Sequence, residues 1–154
     1  MSIWPPCGLY RTTRALSEAL PEGRLVFFHD HGDPGPGVYL PSGWSNNRAS
    51  FHAKGLPLSD PSEAATLQPL PAEGFYVVGS AFTCCERECR TFVEGELLQL
   101  GYNGQADPLL FVPEWRDGGL KLPEKGTRVD AQRLSRLVPC RVPGTDAGRN
   151  SPLH

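Results

Sequence analysis

Apolar residues in this chain fall in short runs, not in helical stripes. Leu25-Val26-Phe27-Phe28-His29 and Gly37-Val38-Tyr39-Leu40 are β-branched or aromatic stretches separated by Asp33-Pro34-Gly35-Pro36, a turn signal, and they predict a β-hairpin. Leu97-Leu98-Gln99-Leu100-Gly101-Tyr102 and Leu109-Leu110-Phe111-Val112 predict a second one. Asn103-Gly104 between them is the dipeptide that supplies positive φ in tight turns, although Gln105-Ala106-Asp107-Pro108 lengthens the loop. Gly74 to Gly79 reads as a further strand, and Gly8 to Thr13 as a less hydrophobic one.

Two short helices are expected. Asp60 stands at an N-cap position, Pro61 suits the first helical position, and Glu63 falls where a capping-box acid sits. Asp130 is placed to cap Ala131 to Leu137, where Ala131, Leu134 and Leu137 share one face.

The hydrophobic pattern also repeats. Glu22-Gly23-Arg24-Leu25-Val26 through Gly32 to Pro36 and Pro41 aligns without a gap on Glu94-Gly95-Glu96-Leu97-Leu98 through Gly104 to Pro108 and Pro113. Leu9-Tyr10 and Leu16 precede the first copy as Phe75-Tyr76 and Phe82 precede the second, and Trp44 follows the first hairpin almost as Trp115 follows the second. An insertion at Cys84 to Arg90 and a longer stretch from Trp44 to Phe51 are the length differences, both where loops accept them. The expected organisation is a β-rich repeat over residues 7–72, a second over 73–142, and flexible ends at 1–6 and 143–154. Two tandem SH3-like barrels packed together are the leading architecture by analogy, with a single pseudo-twofold β sandwich as the alternative.

Composition sharpens this picture in three ways. The 17 glycines and 16 prolines suit short strands joined by turns. A net charge of −2 with interspersed signs argues against the basic field of a nucleic-acid binder. No apolar run reaches the roughly 20 residues that span a bilayer, and five cysteines without framework spacing fit a reducing compartment, so a cytoplasmic protein with no membrane contact is expected.

Three thiols within six positions, Cys84, Cys85 and Cys89, are the densest candidate chemistry, because thiolates bind zinc and exchange disulfides. Histidines are needed to complete a zinc site there. His29 and His31, two apart on a continued strand, are the candidates, and Gly101 and Asn103 stand in their places in the second copy. Buried thiols packed as small hydrophobes are the alternative reading. No Cys-His pair carries an orienting third group, so no catalytic residues and no enzymatic activity are expected. Trp44, Trp115, Tyr39 and Phe111, at or just beyond the second strands of the two hairpins, are the candidate contact residues for a protein or peptide partner, although paired tryptophans also serve as lids on small cores.

Overall fold

The computed structural model describes residues 3–31 and 35–141. Within them the chain is mostly β, with two short helical segments. The first part contributes β1 (Gly8–Arg11), β2 (Leu25–His29), β3 (Gly37–Tyr39), β4 (Pro41–Ser45), β5 (Arg48–Phe51), β6 (Leu56–Pro57), the helical turn α1 (Pro61–Ala64) and β7 (Gln68–Pro69). The second contributes β8 (Gly74–Val78), β9 (Phe82–Thr83), β10 (Thr91–Phe92), β11 (Leu97–Tyr102), β12 (Pro108–Phe111), β13 (Glu114–Arg116), β14 (Gly119–Lys121), β15 (Thr127–Arg128), a 3-10 turn (Ala131–Arg136) and β16 (Leu137–Pro139).

Two five-stranded antiparallel sheets result, ordered β6-β3-β2-β1-β7 and β15-β12-β11-β8-β16. Their registers correspond pair by pair. Tyr10 faces Val26 as Tyr76 faces Leu98, Phe28 faces Val38 as Leu100 faces Leu110, and Tyr10 faces Pro69 as Tyr76 faces Pro139. Even the tyrosine anchors agree: Tyr10 donates to the Pro6 carbonyl and Tyr76 to the Ala72 carbonyl, each at 2.6 Å. Neither sheet closes on itself, so the barrels expected from the sequence are open sheets here.

Alternation along β2 and β11 explains the two cores. Val26 and Phe28 turn one way, with Tyr10, Leu20, Val38, Leu58, Ala64 and Leu67 around them. In the second sheet Leu98 and Leu100 are joined by Phe82, Phe92, Tyr102 and Leu110. That second cluster also takes in Leu25 and is packed by Leu9, Phe51 and Leu70, so apolar contact runs across the boundary between the sheets. Trp4 stacks on Phe28 at 6.1 Å between ring centroids, which lays the Pro-rich arm against the first core.

The helical segments form as their caps dictate, with one difference. Asp60 and Glu63 make a reciprocal capping box at α1. The segment after Asp130 is a 3-10 helix, and the Asp130 side chain makes no capping hydrogen bond. The turn chemistry also differs at Asn103: neither it nor Gly104 has positive φ, and Ala106 does instead, at 64°. The Asn103 carboxamide oxygen accepts from the Gln105 and Asp107 amides at 3.0 and 2.9 Å, and that side-chain turn does the work assigned to a left-handed Asn-Gly pair. Residues 32–34, part of the turn expected at Asp33-Pro34, and 143–154 lie outside the described residues.

Each sheet carries an outlying hairpin, the first of them in the Trp44 to Phe51 stretch read as a loop from sequence. β4 pairs with β5 around Asn46 (φ 52°) and Asn47 (φ 65°), and β13 pairs with β14 around Asp117 (φ 50°) and Gly118 (φ 78°). Both are two-residue turns with two left-handed residues, the geometry that matches the twist of the flanking strands.

Candidate functional site

The two hairpins are alike in construction and unlike in surroundings. The β4–β5 hairpin reaches across to the second sheet. The Asn47 carboxamide donates to Gln99 Oε1 at 3.1 Å, Gln99 Nε2 donates to the Asn46 carbonyl at 3.0 Å, and the Trp44 indole donates to the Tyr102 carbonyl at 2.8 Å. The Ala49 amide donates to Glu73 at 3.0 Å. Gly101 is what lets the backbones approach, since a Cβ there would lie 2.6 Å from the Asn47 carbonyl oxygen. Gln99 is 3% exposed, a buried amide whose polar ends are matched by backbone and side chain of the other element. Beside this seam runs a groove of about 770 Å³ lined by Trp44, Asn47, Phe75, Tyr102, Phe111 and Leu122 among others.

The β13–β14 hairpin makes no such crossing among the described residues. Trp115 is 72% exposed and Leu120, its register partner, 58% exposed. Of the contact residues predicted from sequence, Trp115 therefore stands free and Trp44 is half engaged in the seam. Tyr39 is half-buried, its ring closing over Gly55, where a Cβ would meet it at 2.7 Å. Phe111 is buried against Gly101 and Gly126 and forms the groove's floor.

The candidate metal-ligating residues group differently from the sequence expectation. His29 and His31 do not join Cys84, Cys85 and Cys89; they converge on Cys7. Cys7 Sγ lies 3.4 Å from His29 Nδ1 and 3.9 Å from His31 Nδ1, and its thiol donates to Asp30 Oδ1 at 3.4 Å, while His31 Nδ1 also contacts that carboxylate. Cys7 was the residue that sequence reasoning missed. No local sequence signal gives it: β1 runs antiparallel to β2 with Gly8 opposite Phe28, and only that register carries the preceding residue alongside His29. Burial and the Asp30 side chain raise the Cys7 pKa, partly opposed by the Asp30 backbone, a direction opposite to that of an activated nucleophile. The Asp30 carboxyl is lowered, chiefly by its hydrogen bond with His31.

Cys84, Cys85 and Cys89 form a second group in the loop between β9 and β10. A turn closes it, with the Cys84 amide on the Arg90 carbonyl and the Glu88 amide on the Cys85 carbonyl. The sulfurs of Cys84 and Cys85 are 3.6 Å apart and those of Cys85 and Cys89 4.0 Å apart. The Cys85 pKa is lowered by the backbone amides of Cys89 and Arg87, not by the arginine charges, and the Cys89 pKa is raised by its hydrogen bond with Cys85. All five cysteines are free thiols, so Cys7 and Cys140 are not bridged.

No family model, curated protein or solved structure matches this chain. Its chemistry has to be read from its own geometry. Among the described residues, no helix is long and apolar enough to cross a membrane.

Glu73 adds a titratable element to the seam. Burial raises its pKa, opposed by the Ala49 amide and the Arg48 charge. A carboxyl whose folded value lies above its unfolded value favours folding while protonated, and that contribution is lost as pH rises through the folded value. Glu73→Gln is therefore expected to gain stability relative to the unmodified chain as pH is raised from about 4 to about 7. Urea unfolding of both proteins across that range measures it; a constant difference removes Glu73 as the cause.

Proposed function

We propose that this chain is a non-enzymatic protein-binding module built from two tandem β units, over residues 7–72 and 73–142, and that its contact element is the β13–β14 hairpin with Trp115 and Leu120. The repeated strand order and register support the tandem reading. A meander whose last strand returns, after a helical turn, to the outer side of the first supports the analogy with SH3-like folds.

The observation that carries the proposal is the difference between the two hairpins. The first shows how such a hairpin engages a sheet: indole on a carbonyl, turn backbone on a buried amide. The second presents the equivalent tryptophan and a leucine to solvent on an equally defined turn. Exposed Trp beside an aliphatic residue, on a hairpin that costs little to order, is the composition of an interface anchor. The partner is a protein or peptide offering an apolar face with a free carbonyl at its edge.

Selection of peptides and small folded domains displayed from the native source tests this. Binders are expected to lose about 2 kcal/mol or more, roughly 30-fold in Kd, against Trp115→Ala, with Leu120→Ala weaker in the same direction. Both side chains are largely exposed, so the thermal midpoint should stay put. Binders indifferent to both substitutions would sink the assignment.

A further inference from the structure

We propose that Cys7, His29 and His31, with the Asp30 carboxylate beside the thiol, form a binding site for a borderline divalent transition metal, with zinc as the first candidate. The site is separate from the hairpin that carries the proposed binding function.

Geometry is the first support. Around a tetrahedral zinc with bonds of about 2.3 Å to sulfur and 2.0–2.1 Å to nitrogen, neighbouring ligand atoms sit roughly 3.3–3.6 Å apart. Cys7 Sγ lies 3.4 Å from His29 Nδ1, 3.4 Å from Asp30 Oδ1 and 3.9 Å from His31 Nδ1. The ligand atoms of Cys7, His29 and His31 all fall within 4.8 Å of one another. Small side-chain rotations convert hydrogen-bond contacts into a coordination shell.

The fold holds this arrangement in place. Strand alternation puts Phe27, His29 and His31 on one side, with ring centroids 6.4 Å apart for the first pair and 4.1 Å for the second. The ligands lie at the end of two antiparallel neighbours, Cys7 just before β1, His29 as the last residue of β2 and His31 just beyond it, so the end of the β1–β2 ladder brings them together.

The corresponding place on the second sheet gives an independent argument. Glu73 precedes β8 as Cys7 precedes β1, and Gly101 and Asn103 answer to His29 and His31. There the first hairpin closes over the surface, with the Ala49 amide on Glu73 and the Asn47 carbonyl over Gly101. The fold therefore needs neither imidazole nor thiol at these positions. On the first sheet the place stays accessible, Cys7 and His31 being exposed, and it is furnished with one sulfur and two ring nitrogens, the Asp30 carboxylate lying beside the thiol.

That donor set selects the metal class. Imidazole and thiolate favour zinc and its transition-metal neighbours over magnesium or calcium, which take oxygen ligands. Binding displaces the thiol proton to solvent, and the thiolate with Asp30 supplies two negative charges to balance a divalent ion.

Cobalt(II) titration of the tag-free full chain under reducing conditions, followed by zinc competition, provides the test. One equivalent should bind with tetrahedral visible bands and a thiolate charge-transfer band, and zinc should displace it. The Cys85→Ser, Cys89→Ser double variant should retain both. Cys7→Ser and His31→Asn should each weaken binding about 100-fold or more, since even residues outside a ligand shell are worth about 10–100-fold. Asparagine is the residue at the corresponding position of the second sheet, so His31→Asn is expected to keep the fold, and it decides the matter if Cys7→Ser does not fold. Undiminished binding in His31→Asn, loss of binding in Cys85→Ser, Cys89→Ser, or no stoichiometric uptake by the unmodified chain at micromolar cobalt or zinc overturns the proposal.

Discussion

Replacing Phe92 by alanine is expected to lower the unfolding free energy by about 3–5 kcal/mol. The ring is completely buried, stacks on Phe82 at 5.1 Å, and lies under the Arg90 guanidinium at 5.3 Å. Its cluster contains Leu25 and is packed by Leu9, Phe51 and Leu70 from the first part of the chain, so the loss should not stay local. Urea unfolding followed by tryptophan fluorescence and by far-ultraviolet circular dichroism should give one coincident transition, moved to lower denaturant. Phe28→Ala, at the centre of the first core between Trp4 and Tyr10, should move that same transition by a similar amount. A variant with two separated transitions, one of them unmoved, would show that the shared cluster does not couple the sheets.

Gly101→Val is expected to open the seam. A Cβ there already sits 2.6 Å from the Asn47 carbonyl oxygen and 3.3 Å from the Phe111 ring, and valine adds two methyl groups to that crowding. Overpacking of this kind costs about 1–3 kcal/mol, and relief by lifting the β4–β5 hairpin forfeits the Gln99 hydrogen bonds to Asn46 and Asn47. Limited trypsin digestion should then cut after Arg48, next to the turn, faster than in the unmodified chain. Unchanged stability together with unchanged cleavage at Arg48 would mean that the hairpin is not held where Gly101 places it.

Most main strands were legible because their residues are β-formers flanked by strong turn signals. Leu25 to His29 and Leu97 to Tyr102 form strands over those residues, and Asp60-Pro61 with Glu63 announces α1 through a mechanism that depends only on local side chains. The outlying hairpins escaped notice because Asn46-Asn47 and Asp117-Gly118 sit between segments too polar to read as strands, such as Glu114-Trp115-Arg116. Their strands are not specified by alternation of apolar residues; turn geometry and, for the first, contact with a remote sheet specify them. The same limit affected the cysteines. Cys84, Cys85 and Cys89 meet because they are close in sequence, whereas Cys7 reaches His29 only through the register of two strands separated by a long loop. Gln99 could not be read as buried glue, since its partners lie 52 and 53 residues away.

Left-handed backbone at both positions of each outlying turn has a kinetic corollary. A two-residue link of this type fixes the strand crossing and leaves little slack in the arms, so Trp115 and Leu120 keep their spacing before any encounter. Under the proposed binding role, capture by such an element would resemble insertion of a finished key and not the folding of a floppy tail. Its association rate should therefore follow collision geometry, and changes at Trp115 should register in how long the complex lasts.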